Sequence, residues 1–339
     1  PDVFDWARCH ARYPTWCNDR LGYGRLSMIK WTIDEVLLRS PAITNRDLFA
    51  QTLEAQSDDD IITQYAGLTP AQIEQEFGEI FEIVRELDFR LEGTGLELGA
   101  GVGVLSAVAI NLWPDINKCY ALEVVPKVIE LLQPRAVRYI AKERAEKVVG
   151  VLGSFDEMDV PNEFFDFCIE YASLHHSDDL TRTLRETERV LKPGAPLVAI
   201  DRAHYDGVED KQLRFMLDVQ YSAEWKRRNG YAGGPLSRRQ NGEHEIRLKE
   251  WLAAFETTGF EVVRRIELRP TGWKALRYKA ALMLPFSLRR ALGVHPSRVR
   301  PAWAEIVWLL GGMLGVRQRS ATYLPAAKEH TLFIVRKRS

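Results

Sequence analysis

Over residues 1–92, apolar side chains recur at helical spacing; beyond them come short apolar runs separated by amphipathic stretches. Residues 26–38 predict a helix, and Thr44-Asn45-Arg46-Asp47 opens another that runs to about residue 55. Ser57-Asp58-Asp59-Asp60 forms a turn or N-cap cluster. Thr69-Pro70-Ala71-Gln72 carries a capping residue with proline at the first helical position. Ile73, Phe77, Ile80, Phe81, Val84 and Leu87 then line one helical face, the pattern of a core-facing stripe.

From residue 93 the pattern alternates. Residues 96–98, 118–124, 147–152, 164–169, 195–200, 260–268 and 331–335 read as strands. Helical stretches lie between most of them: 104–113 (stopped by Pro114), Pro126 to about 144, the Asp178-Asp179-capped run to 191, and 248–258 before Gly259. Such alternation predicts parallel strands with right-handed crossovers. The expected fold is α/β: a doubly wound, mostly parallel seven-stranded sheet with a helical N-terminal region and inserted cap segments. The expected division is a helical region at 1–92 and an α/β domain at 93–339. Insertions at 202–247 (with one long polar helix over 208–228) and 269–329 interrupt that domain. Both insertions read as helical caps over the substrate side.

Composition adds little. Of 339 residues, 46% are hydrophobic and 27% charged, an ordinary globular balance, and 46 basic against 47 acidic residues argue against a nucleic-acid partner. Cys119 and Cys168 lie in apolar runs and read as buried free thiols in a reducing, cytoplasmic setting. Cys9, Cys17 and His10 lack a fourth ligand for zinc, so no metal is expected. No signal peptide is visible, although a chain that starts at Pro1 leaves upstream residues open. Residues 303–316 are apolar but too short and interrupted to span a membrane. They read as a core helix of the cap; a membrane surface or a second copy of the chain is the alternative partner.

The densest signal is Gly93-Thr-Gly-Leu-Glu-Leu-Gly-Ala-Gly-Val-Gly-Val-Leu-Ser106, a strand, a glycine loop and a helix start. A dinucleotide loop needs G-x-G-x-x-G, but Val104 and Ser106 occupy the required third positions, and a phosphate loop needs a lysine that is absent. The remaining pattern, E-x-G-x-G-x-G, resembles the cofactor loop of class I S-adenosylmethionine (SAM)-dependent methyltransferases. The resemblance covers residues 93–201 well and 248–268 with 331–336 loosely; Leu191-Lys-Pro-Gly194 resembles the family's turn before the fifth strand.

The resemblance implies SAM as cofactor and a site made of Glu97, Gly99, Ala100, Gly101, Gly103, Glu123, Val124, Phe155, Asp156, Glu170 and Tyr171. It places Glu97 near the cofactor's amino-acid end, Glu123 on the ribose hydroxyls, Asp156 on the adenine amino group and Phe155 against the ring. Glu170 and Tyr171 emerge at a strand end, where open α/β sheets bind ligands. Ser173-Leu-His-His-Ser177 and Asp201-Arg-Ala-His-Tyr205 follow the fourth and fifth strands. His175, His176 and His204 are the candidate general bases, with Asp201 placed to orient His204. The His244-Glu245 stretch reads as a solvated approach to a helix.

The implied activity is methyl transfer to a small molecule, with oxygen favoured as acceptor because several histidines lie in cleft-facing segments. An N- or C-methyltransferase of a small or lipid-like molecule, a non-catalytic SAM-fold binding protein and a nicotinamide-dependent oxidoreductase are the alternatives. No N/D-P-P-Y-type motif follows the fourth strand, which disfavours nucleobase N-methylation.

Overall fold

The computed structural model describes residues 28–228, 231, 234–270, 288, 321–324 and 330–339. The aromatic start, the Cys9–Cys17 pair and the apolar run at 303–316 lie outside the described residues.

The chain begins with β1 (Met28–Lys30), then α1 (Glu35–Leu38), α2 (Pro41–Leu53), α3 (Asp58–Ala66) and α4 (Pro70–Glu86). Each of the last three has a hydroxyl N-cap: Ser40 accepts from the Ile43 amide, Ser57 from Asp60 and Thr69 from Gln72. Gln72 completes a capping box by accepting the Thr69 amide at 3.0 Å. The α4 stripe Ile73, Phe77, Ile80, Phe81 and Val84 is buried, as the spacing predicts.

The helix expected over 26–38 is replaced by β1 and the short α1. The reason is tertiary. β1 pairs in parallel with Gly150–Leu152, the Trp31 amide donates to the Leu152 carbonyl at 2.9 Å, and Trp31 packs beneath Gly153. A free sheet edge outcompetes a weak local preference.

Next come β2 (Gly93–Leu98), α5 (Val104–Leu112), β3 (Ile116–Glu123), a π turn (Val128–Leu132), α6 (Gln133–Ala141), β4 (Val148–Leu152), β5 (Phe167–Tyr171), α7 (Leu180–Val190) and β6 (Pro196–Asp201). The first insertion holds α8 (Asp210–Asp218) and α9 (Ala223–Arg228), followed by α10 (Leu248–Thr257), β7 (Phe260–Pro270), β8 (Ala321–Leu324) and β9 (Thr331–Lys337). The long helix expected over 208–228 is therefore broken in two. At the break the Tyr221 amide donates to the Leu236 carbonyl at 2.9 Å, and Arg238 donates back to Val219 at 3.2 Å. This backbone exchange across the insertion replaces helical hydrogen bonds.

The sheet order is β1-β4-β3-β2-β5-β6-β9-β7-β8. The expected seven strands are the inner seven, and β1 and β8 add one edge each, making nine among the described residues. β9 runs antiparallel to both β6 and β7. The order reverses between β2 and β5, which places the carboxyl ends of β2, β3, β5 and β6 around one crevice. Two cores flank the sheet. One lies under α4, α5 and α6, the other under α7 and α10.

Candidate active site

The glycine loop lies at the carboxyl end of β2. Gly99, Gly101 and Gly103 have φ of +61°, +53° and +75°. A β-carbon at Gly99 would fall 2.3 Å from Ser173 Cβ, and one at Gly101 would fall 2.9 Å from Cε1 of Tyr65. Only glycine combines that backbone with that proximity. Ala100 is buried and donates to the Leu122 carbonyl at 2.7 Å, which ties the loop to β3. Gln133 reaches up from α6 to donate to the Gly101 carbonyl at 3.0 Å.

Glu123 closes the loop from the end of β3. Its Oε2 accepts the Gly101 amide at 2.8 Å, and its Oε1 accepts the amides of Val124 and Val125, each at 2.9 Å. A carboxylate so pinned beside a glycine cradle has the place and acceptor chemistry to take ribose hydroxyls. These residues fit an adenosyl cofactor.

Glu97 is differently occupied. It is 2% exposed, and its Oε2 accepts both the amide and the hydroxyl of Ser106 at the start of α5. Burial pushes its carboxyl up to about 8 despite the Ser106 hydrogen bonds. Below the ordinary carboxylate range both folded and unfolded chains hold this proton. Between that range and about 8 only the folded chain does, so its contribution to stability falls as pH rises through that window. Glu97→Gln keeps an acceptor for Ser106 and is expected to remove this slope. Urea midpoints at about pH 5 and about pH 9 test it; an unchanged difference between them would reject the assignment.

After β4, Phe155 packs half-buried against the second core, and Asp156 accepts a hydrogen bond from the Thr183 hydroxyl. Glu170 is fully enclosed. It accepts from the amides of Ser173 (2.5 Å), Leu174 (3.1 Å) and Ile200 (3.1 Å), and so shapes the turn after β5. Burial, reinforced by the charge of Asp201, raises its pKa well above the carboxylate range. Tyr171 turns to the α4 side, edge-on to Phe77 at 4.9 Å and tilted against His330 at 5.5 Å.

The three histidines separate. His175 is buried, with its amide 2.8 Å from Oδ2 of Asp201 and its Nδ1 2.7 Å from Oδ1. This pairing puts the proton on Nδ1 and leaves Nε2 with a lone pair. Burial, then the Arg202 charge, lowers the His175 pKa well below the usual range. His176 donates from Nδ1 to the Gly242 carbonyl at 2.8 Å and accepts at Nε2 from Arg46 at 3.3 Å. Burial, then the neighbouring His175, keeps it neutral. His204 is fully buried, with its Nε2 bonded to Glu245. Asp201 therefore orients His175 and not His204, a correction to the expected pair. His204 instead follows β6 into a backbone bridge with Arg247 that carries it away from Asp201.

The stretch expected to be a solvated helix approach is instead largely interior. Glu243 accepts from Arg202 at 2.9 Å and from Arg238 at 3.0 Å, and also bonds the Tyr221 hydroxyl. Glu245 lies between His204 and Arg238. Burial raises its pKa, but the His204 hydrogen bond and the Arg202 charge outweigh that and hold it at about 2. His244 is the part that stays near solvent, 3.1 Å from Asp178. Arg46, Tyr65, Gln133 and Arg202 escaped the sequence reading because their partners lie tens to more than a hundred residues away. Arg238 is only five residues from Glu243, but no helical or strand period pairs them.

Among the described residues no group of His, Cys, Asp and Glu is arranged to hold a metal ion, and no helix is long and apolar enough to cross a membrane. Cys119 and Cys168 are buried and free, as expected.

Glycine cradle, strand-end carboxylate and sheet order together agree with the pattern of class I SAM-dependent methyltransferases. Residues 96–199 match the family described as "Methyltransferase domain". The chain is 24% identical over 123 residues to an uncharacterized methyltransferase, YcgJ, of Bacillus subtilis, covering 36% of this chain and 45% of that protein. It is 25% identical over 184 residues to a sterol 24-C-methyltransferase, erg6, of Aspergillus fumigatus, covering 51% of this chain and 41% of that protein. The chain thus spans less than half the length of these curated relatives. The crystal structure of YcgJ aligns at a TM-score of 0.46 and 16% identity, over 76% of this chain and 97% of that one.

Proposed function

We propose that the protein transfers a methyl group from SAM to a hydroxyl oxygen of a small molecule, with His175 as general base. The observation that carries the cofactor reading is the left-handed glycine loop closed by the Glu123 carboxylate. In this reading Glu123 takes the ribose hydroxyls, Asp156 the adenine amino group and Phe155 the ring face. Gly99, Ala100, Gly101, Gly103 and Val124 form the wall. Glu97 and Glu170 brace the loop and the turn from within, and Tyr171 lines the acceptor side.

When bound, SAM supplies a methyl group on a sulfonium, which departs as a neutral thioether. The chain's task is to align the acceptor, exclude water and remove a proton. His175 Nε2 is free to take the hydroxyl proton, and Asp201 holds the ring by its other nitrogen. His176 and His204 position their surroundings, since both use Nε2 within the protein. α2, α3 and the described part of the insertion at 202–247 serve as the cap; most of the insertion at 269–329 lies outside the described residues. A reducing, cytoplasmic setting suits the free thiols.

The similarity to a sterol 24-C-methyltransferase favours a second reading, a carbon acceptor on a lipid-like molecule. Release of S-adenosylhomocysteine against hydroxylated, amine and lipid acceptors separates the two. No release with any of them would favour a non-catalytic binder. The cofactor itself is tested by calorimetric titration with SAM, S-adenosylhomocysteine and NAD. Binding of the first two alone is expected; binding of NAD, or of nothing, would sink the proposal.

A further inference from the structure

The amino-acid end of SAM carries a carboxylate that needs a cation. Glu97, itself an acid, 2% exposed and bonded to Ser106, supplies no such cation. A cation is offered by α2, which touches both the π turn after β3 and the 3₁₀ turn at Arg239–Asn241, and so bridges the two sides of the crevice. Asp47 pins it by accepting the Lys127 amide at 2.9 Å. Phe49, on the same helix, stacks on Tyr65 at 6.4 Å, and the Tyr65 ring in turn covers Gly101. Arg135 holds the α2–α3 connection through the Glu54 and Gln56 carbonyls (2.6 and 2.7 Å) and Asp58.

Arg46 projects from this anchored helix. Among the described residues its guanidinium makes one hydrogen bond, to the neutral His176 imidazole at 3.3 Å, and no ion pair. Five N–H donors are available and a single ring nitrogen uses one of them. Nearby Arg202 and Arg238, by contrast, are paired with Glu243. Arg46 also lies close enough to Tyr65 for its charge to lower that phenol's pKa, against the larger upward effects of burial and Glu123. A part-buried guanidinium between the glycine-loop cover and the turn after β5, with donors unused by the protein, has the chemistry to receive an anion.

We infer that Arg46 binds the carboxylate of the SAM amino-acid moiety, with Tyr65 as the wall beside it. This rests on the methyltransferase reading and adds the group that recognises the ligand's charged end. A charge-assisted pair of this kind is worth about 10-fold or more in affinity.

The test is calorimetric titration of the full chain with SAM and with decarboxylated SAM, which differ only in that carboxylate. The wild-type protein is expected to favour SAM by about 10-fold or more, and Arg46→Gln to shrink the preference to about 2-fold. Arg46→Lys should recover part of it, and unchanged melting temperatures should show that all three proteins are folded. If decarboxylated SAM is too weak to measure, loss of SAM affinity in Arg46→Gln with recovery in Arg46→Lys carries the same conclusion. Equal wild-type binding of the two ligands, or undiminished SAM affinity in Arg46→Gln, would overturn the assignment while leaving the methyltransferase reading intact. A wild-type protein that binds neither would sink both.

Discussion

His175→Ala is expected to lower methyl-transfer turnover about 100-fold or more, while SAM affinity stays within about 3-fold. The lower figure is the usual contribution of a positioned general base. The separation of turnover from affinity follows from the geometry, because His175 is held by Asp201 beyond β5 and not by the glycine loop. Asp201→Asn should act through the same imidazole. It replaces an oxygen that accepts from His175 with an amide that competes for the wrong tautomer, so turnover falls with His175 still in place. A general base must be neutral to act, and burial keeps the His175 pKa well below the ordinary histidine range. The rate should therefore be flat through neutral pH and fall only as pH drops through that lowered pKa. Turnover is read as S-adenosylhomocysteine release at saturating SAM. Normal turnover in His175→Ala would mean that transfer proceeds by alignment alone, as an amine or an electron-rich carbon acceptor would allow.

The second large effect falls on Glu123. Glu123→Ala removes the acceptor for three backbone amides at once, those of Gly101, Val124 and Val125. Each donor left unsatisfied away from water costs about 1–3 kcal/mol, so loop and cofactor site should fail together. The alanine variant is expected to weaken SAM binding about 100-fold or more and to melt earlier. Glu123→Gln is the cleaner probe. Its carbonyl can still accept part of the set, but its charge is gone and its NH₂ faces donors. A loss of SAM affinity that exceeds its loss of stability would support the ribose assignment. Affinity equal to wild type in the glutamine variant, measured by titration at matched temperature, would reject it.

Both effects involve residues that the sequence singled out, yet the reasons differ. Gly99, Gly101, Gly103 and Glu123 are legible because a strand, a tight loop and a helix are local objects, and glycine spacing reports backbone conformation directly. The inner seven strands are legible for the same reason, since alternating apolar runs and capped helices carry their own period. Thr69 with Gln72 announces α4 within four positions.

What the sequence could not decide are relations between distant segments. By sequence Asp201 pairs with His204, three residues on; the fold instead gives it His175, 26 residues back. Glu243 and Glu245 look solvated in a polar run, and only the return of the insertion against β6 buries them with Arg202 and Arg238. Residues 28–30 had no local claim to be a strand; the open edge of β4 made them one. Arg46 and His176 meet across 130 positions with no pattern to connect them. Local propensity and side-chain period determined the inner seven strands, the glycine loop and the helices packed between them. Which carboxylate orients which imidazole, and which charges are buried or left free, was decided by packing, because hydrogen-bond partners and desolvation depend on what the tertiary fold brings within a few ångströms.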